Sequence, residues 1–432
     1  MGQAIASQKA SAPRRAGGWL FVWLLGALAA AGMVGMVAET AITAAAVFTA
    51  HGARTGAPRH AAAHNDFLIP PDRMDSAIDA VEQAVQARVV PGAAVAIGDR
   101  SRILAIRSFG RIGWHARDAA VTDSTMYDLA SLTKAVATTT AVLLLAQDGK
   151  IHLDDPVQPW VPGFEGRWKD SVTWRHLLTH SSGLPPAGHM RGSTPAARLH
   201  SLLRTKLESP PGTHVQYSDL SFIVLWTAAQ RVAGEPLQQF LARRVWGPLG
   251  MKHTAIWPGE GCTDCAPTMT LTSGAPYRGK PSDPIAHALG APSGNAGLFS
   301  SAQDLARFAA MIANGGVIDG RRILRADLVR ALFVQQPHAA HRTLGWEAFC
   351  PAEHPTQQDA CTHPIAYGHT GWTGTSLWID PARGVWTVIL SNRSYDVKHP
   401  PSLDELREEV FTRVAHAPER SAEPIGAGDN SE

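Results

Sequence analysis

Cysteine is scarce in this chain: four in 432 residues, Cys262, Cys265, Cys350 and Cys361. Their grouping, a C-x-x-C and then a second pair, predicts two local disulfides in an oxidising compartment. A thioredoxin-like redox site needs its C-x-x-C to open a helix after a strand, and Gly261-Cys262-Thr263-Asp264-Cys265-Ala266-Pro267 reads as a loop instead. The two pairs are also far apart in sequence for a four-cysteine zinc site. A surplus of one charge is missing as well: 39 Lys and Arg face 37 Asp and Glu, a net +2 without a long single-sign run, which gives no reason to expect nucleic acid. The 19 His are too scattered to read as a metal tract, and no metal or cofactor is expected.

What is present is apolar. Hydrophobic residues make up 45% of the chain, enough for one large domain or two interleaved ones. Near the N-terminus Lys9, Arg14 and Arg15 precede an uncharged stretch from Ala16 to Ala38, and after Glu39 a second apolar run follows from Ala41 to Ala50. This predicts an export signal over residues 1–50. Its length favours an uncleaved transmembrane anchor over a cleaved peptide, because a bilayer takes about 20 apolar residues and a signal peptide core about 7–15. Basic residues on the N-terminal side keep that end in the cytoplasm and place the rest outside. Residues 51–71, without periodicity, read as a linker, and 417–432 as a disordered tail.

From Asp72 the pattern turns regular. Met74, Ile78, Val81 and Val85 recur at helical spacing, and Val89-Val90-Pro91-Gly92 ends that helix before two strands, 93–98 and 103–106, around the turn Asp99-Arg100. The middle is helix and loop, with helices expected from Phe222 to Val232 and from Leu237 to Val245. An amphipathic helix from Ala302 to Ala313, strands from Thr375 to Ile379 and Val385 to Leu390, and a last helix near Leu403 to Val414 close the chain. Strands at both ends around a helical middle predict an α/β domain over about 72–125 and 300–416, closed by both termini, with an all-α part inserted over about 126–299.

Three stretches carry chemistry. In Ala130-Ser131-Leu132-Thr133-Lys134 a hydroxyl and an amine lie three residues apart at the start of an apolar run, where positions i and i+3 share a helix face. A serine hydroxyl becomes a good nucleophile only when a neighbour takes its proton, and a lysine can do so only if burial or a second cation lowers its pKa. Alone, Ser-x-x-Lys is expected about once or twice by chance in such a chain, as a helix cap with a solvated Lys. Yet lysine is sparse here, and Lys134 is followed by Ala135-Val136-Ala137 rather than by a polar face. The second stretch is Tyr217-Ser218-Asp219, on a loop leading into an apolar helix, where the phenol can carry a proton if an ammonium stabilises the phenolate. The third is Gly368-His369-Thr370-Gly371-Trp372-Thr373-Gly374, whose glycines allow a substrate backbone to approach a sheet edge.

In this order Ser131-x-x-Lys134, Tyr217-x-Asp219 and His369-Thr370-Gly371 resemble the three-motif signature of the serine β-lactamase and penicillin-binding-protein superfamily, and most of all its class C branch with D-alanyl-D-alanine carboxypeptidase and esterase relatives. The resemblance runs from about Met74 to Val414 and includes Leu153-Asp154-Asp155-Pro156-Val157, Arg175-His176-Leu177-Leu178-Thr179-His180, Gly247-Pro248-Leu249-Gly250-Met251 and Gly297-Leu298-Phe299-Ser300. It implies an antiparallel sheet flanked by helices with an inserted helical domain, and a serine hydrolase acting on a small-molecule or peptide substrate, which the N-terminal stretch places outside the cytoplasm, in the periplasm. It implies Ser131 as acylated nucleophile, Lys134 as its proton partner, Tyr217 as proton carrier to the leaving group, and the backbone N–H groups of Ser131 and Trp372 as oxyanion hole. Asp219, His369, Thr370 and Gly371 fall on substrate-binding positions. Two of these depart from the commonest pattern, with Asp219 where many relatives have Asn and His369 where β-lactamases have Lys. Both argue against efficient β-lactam hydrolysis and leave a penicillin-binding sensor with little turnover as the alternative. If a protonated His369 anchors a substrate carboxylate, activity on anionic substrates falls as pH rises from about 5.5 to 7.5.

Overall fold

A computed structural model describes residues 69–415 apart from 101, 291, 338 and 352–358. The expected anchor, linker and C-terminal tail lie outside the described residues. Among the described residues no helix is long and apolar enough to cross a membrane.

Helix α1 (Pro71–Gln86) leads into strands β1 (Gly92–Gly98) and β2 (Ile103–Gly110), and a short strand β3 (Tyr127–Asp128) precedes the Ser131 turn. Residues Lys134–Thr139 wind as a π-helix and continue as α2 (Thr140–Gln147). The helical half contains α3 (Trp174–Leu178) and α4 (Asp219–Ala233), then β4 (Ala255–Ile256) and β5 (Leu298–Ser300). The chain returns through α5 (Ala302–Ala313), β6 (Glu347–Phe349), β7 (Ala366–Gly371), β8 (Thr375–Asp380) and β9 (Val385–Ser391) to α6 (Asp404–Ala415). The long sheet is antiparallel in the order β6-β7-β8-β9-β1-β2, so the first strands of the domain pair with the last. A small sheet of order β3-β5-β4 ties the Ser131 turn to the end of the helical half. Its two- and three-residue strands are too short to leave a period-two pattern, and the sequence reading passed over β3 and β4.

Every residue of β1 is buried, as expected of a strand covered on both faces. Ala93, Val95 and Ile97 face a layer built from α1 and α6, where Ile78, Val81, Val410 and Phe411 pack. Ala94 and Ala96 face the larger core with Ala306, Ala309 and the apolar residues of α2 and α4. Small side chains on both β1 and α5 let that helix sit close on the strand, the close packing expected of a protein interior. The π-helix after Ser131 is fully buried in this core, which fixes the helix carrying Lys134 against the sheet.

Candidate active site

The Ser131 turn is strained. Between β3 and the helix, Ala130 takes a left-handed φ of +45°, which costs a non-glycine residue about 1–3 kcal/mol and recurs at functional sites. Buried Asp128 supports it: Oδ1 accepts from the Ala130 N–H at 3.0 Å and Oδ2 accepts from the Ser282 N–H and hydroxyl, both at 2.8 Å. Burial pushes the Asp128 carboxyl up from its ordinary range. Gly371 of β7 backs the same turn, since a Cβ there would collide with the Leu129 carbonyl and the Thr375 hydroxyl.

One helical turn on, the Lys134 side chain is fully buried. Its Nζ donates to Ser131 Oγ at 2.9 Å and to the Asn295 carbonyl at 3.0 Å, and it pairs with Asp219 Oδ1 at 2.7 Å. The condition for Lys134 to act as a base, a lowered pKa, is not met. Burial does pull the ammonium down, but the Asp219 carboxylate and Tyr217 outweigh it, and the group is held above the ordinary lysine range. Lys134 therefore stands beside Ser131 as a cation that donates a hydrogen bond, not as an empty base.

Tyr217 precedes α4, whose N-cap is Ser218, with Oγ accepting from the Ser221 N–H at 3.2 Å. Asp219, in the first turn of α4, has the favourable end of the helix dipole for a carboxylate. The Tyr217 ring lies against His180 with centroids 4.5 Å apart, and Lys134 Nζ is 4.9 Å from its centre. His180 Nδ1 accepts from the Ser218 N–H at 2.9 Å, and burial keeps this imidazole well below its usual pKa.

Ala130, Ser131, Tyr217, Asp219, Ser282, Asp283, Pro284, Ala296 and Trp372 line a cavity of about 410 Å³. The Trp372 side chain is 55% exposed at its rim. Among the described residues the N–H groups of Ser131 and Trp372 make no backbone–backbone hydrogen bond outside the regular elements. The other third-motif residues lie elsewhere. Thr370 borders a separate cavity with His341, Glu347 and Arg407. His369 is buried behind Tyr217, with ring centroids 6.1 Å apart. Burial first, then Lys134 and Arg342, outweigh the Glu347 carboxylate and bring the His369 pKa down to about 4. Protonation of His369 between pH 5.5 and 7.5 is thereby corrected: the ring is neutral across that window. On the β6 side, pairing of β7 stops at Gly368, so no β6 residue covers His369 to Gly371. Cys262 is bonded to Cys265 and Cys350 to Cys361.

The family model described as Beta-lactamase matches residues 77–411. The chain belongs to the Beta-lactamase family. An Escherichia coli (strain K12) protein named "Putative D-alanyl-D-alanine carboxypeptidase" is 31% identical over 305 residues, 63% of this chain and 70% of that protein. Among solved structures, a beta-lactamase/D-alanine carboxypeptidase from Pseudomonas syringae superposes with a TM-score of 0.64 at 20% identity, covering 81% of this chain and 99% of the other. A class C beta lactamase from Rhodobacter sphaeroides gives 0.63 at 22%, covering 79% and 98%. The antiparallel sheet with its helical half is thus the β-lactamase and penicillin-binding-protein fold, and membership of the Beta-lactamase family supports a hydrolase.

Sequence reasoning passed over several residues that this family member brings to the site. Asn295 binds Lys134 through its main-chain carbonyl, which leaves no side-chain signature, while its amide donates to Asp283 Oδ1 at 3.1 Å. Asp128, Ser282 and Asp283 lie in unremarkable stretches. Arg342 and Glu347, an ion pair beside Tyr217, were equally silent; a charged residue next to the apolar Leu344-Gly345-Trp346 was the one available signal.

Proposed function

We propose that this protein is an exported serine hydrolase that cleaves an ester or amide through an acyl-enzyme on Ser131. The observation that carries it is the contact of Ser131 Oγ with the Lys134 ammonium at 2.9 Å, on the wall of a cavity that Tyr217 also lines. Because Lys134 already holds its proton, the acceptor for the Ser131 proton is the Tyr217 phenolate, which the ammonium stabilises. The Oγ–carbonyl carbon bond forms as that proton moves to Tyr217. The bond to the leaving group then breaks, and the Tyr217 proton passes to the departing oxygen or nitrogen. Water repeats the sequence on the acyl-enzyme. The N–H groups of Ser131 and Trp372 serve the oxyanion, where losing one donor typically costs about 3–4 kcal/mol.

The charges lining the cavity favour a neutral acyl donor. Lys134 is offset by Asp219, Asp283 adds a carboxylate, and His369 is neutral, so a carboxylate next to the scissile bond meets no spare cation on the wall. Short-chain esters are the expected good substrates, ahead of β-lactams and D-Ala-D-Ala peptides. The test is purified protein with p-nitrophenyl butyrate, with intact mass recorded during turnover. Wild-type protein should hydrolyse the ester and carry a butyryl adduct, and Ser131→Ala should lose both; a Ser131→Ala protein that retains full hydrolysis sinks the proposal.

A further inference from the structure

Two cations lie against the Tyr217 ring. Lys134 Nζ is 4.9 Å from the ring centre and is paired with Asp219 at 2.7 Å. The Arg342 guanidinium is 5.3 Å from the same ring centre and is paired with Glu347. Arg342 is 6% exposed, so its charge acts across protein rather than water. Two ion pairs, Lys134–Asp219 and Arg342–Glu347, thus bring their cations against one phenol ring. A negative charge on that ring is attracted by both cations. His180 and His369 also lie against the ring, and burial holds both imidazoles below their ordinary pKa, so neither supplies a positive charge there. His341 is 3.9 Å from Glu347.

We infer that Arg342 is a positioning residue for Tyr217: its buried guanidinium, locked by Glu347, is the second cation that favours the phenolate and holds the ring for proton transfer with Ser131. The third motif, with a neutral His369, does not provide this charge; it comes from a residue just before β6. The inference rests on the acyl-enzyme reading above.

Removing Arg342 alone leaves Glu347 buried and unpaired, which by itself destabilises. The double variant Arg342→Met/Glu347→Leu removes both charges together and keeps the site apolar and filled. Full-length wild-type protein, this double variant, Arg342→Lys and Ser131→Ala are compared on p-nitrophenyl acetate from pH 5 to 10, after circular dichroism and thermal melting have established folding. The expected result for the double variant is a fall in kcat of about 10–100-fold with KM within about twofold, and an acidic limb of the kcat/KM profile displaced upward by about one pH unit. Arg342→Lys, which keeps the cation, should leave the limb near its wild-type position. A limb that stays put in the folded double variant overturns the inference, whatever the fall in rate. Activity surviving in Ser131→Ala would instead remove the reading on which it rests, so the two failures are distinguishable.

Discussion

Asp219 neutralises the Lys134 ammonium that donates to Ser131, the proposed nucleophile. It pairs with Lys134 at 2.7 Å, which keeps the ammonium charged, and it also lines the cavity, where on the proposed reading it repels an incoming carboxylate. Asp219→Asn should therefore lower KM for an anionic cephalosporin by about tenfold relative to a neutral ester, since a unit charge several Å away is worth on the order of 1–2 kcal/mol at an effective dielectric near 20. Steady-state kinetics on the two substrates checks it, and an unchanged KM ratio would show that the Asp219 charge does not reach the substrate. The Ser131–Lys134 contact was legible in the sequence because one helix turn sets its spacing, whereas Tyr217 and Asp219 were legible only through the three-motif resemblance. A positive Lys134 was legible only through the motif position of Asp219, a carboxylate 85 positions away in the chain; that this partner outweighs the burial that lowers the pKa was not.

At the level of elements, the site is a junction between a strand end and a helix start. Gly371, at the end of β7, packs on the Leu129 carbonyl two residues before Ser131, while the left-handed Ala130 turns the chain into the helix. Gly371→Ala should push the Leu129 carbonyl away, destabilising the fold by about 1–3 kcal/mol and lowering kcat by moving Ser131 off Lys134. Urea melts alongside ester turnover read both effects; an alanine variant with wild-type midpoint and kcat would show that the contact carries no strain. Periodicity located α1, β1, α5, β8, β9 and α6 to within a few residues, since each buries a broad apolar face. It did not reveal the π-helix at Lys134–Thr139, which is buried together with the start of the α-helix that follows and carries no separate sequence pattern.

Across the whole molecule, burial keeps two imidazoles neutral. Folding lowers the His369 pKa from 6.5 to about 4, and His180 is likewise held well below its ordinary value. The unfolded chain takes up these protons as pH drops below about 6.5 while the folded protein does not. The stability they contribute is therefore whole above that pH and is lost progressively as pH falls towards 4. Urea midpoints at pH 7.5, 6 and 5 should fall accordingly, and His369→Gln should show a shallower fall; equal slopes would mean that His369 titrates alike in both states. The sequence by itself determined the ordered trio of motifs, the family, and an α/β domain closed by both chain ends, because nucleophile spacing and apolar periodicity are local properties. Only the tertiary structure decided that the Asp219 carboxylate outweighs the burial of Lys134, that His369 lies behind Tyr217 rather than on the cavity wall, and that Arg342, paired with Glu347, stands beside the phenol. Those are matters of charge and burial between residues distant in the chain, and no local pattern encodes them.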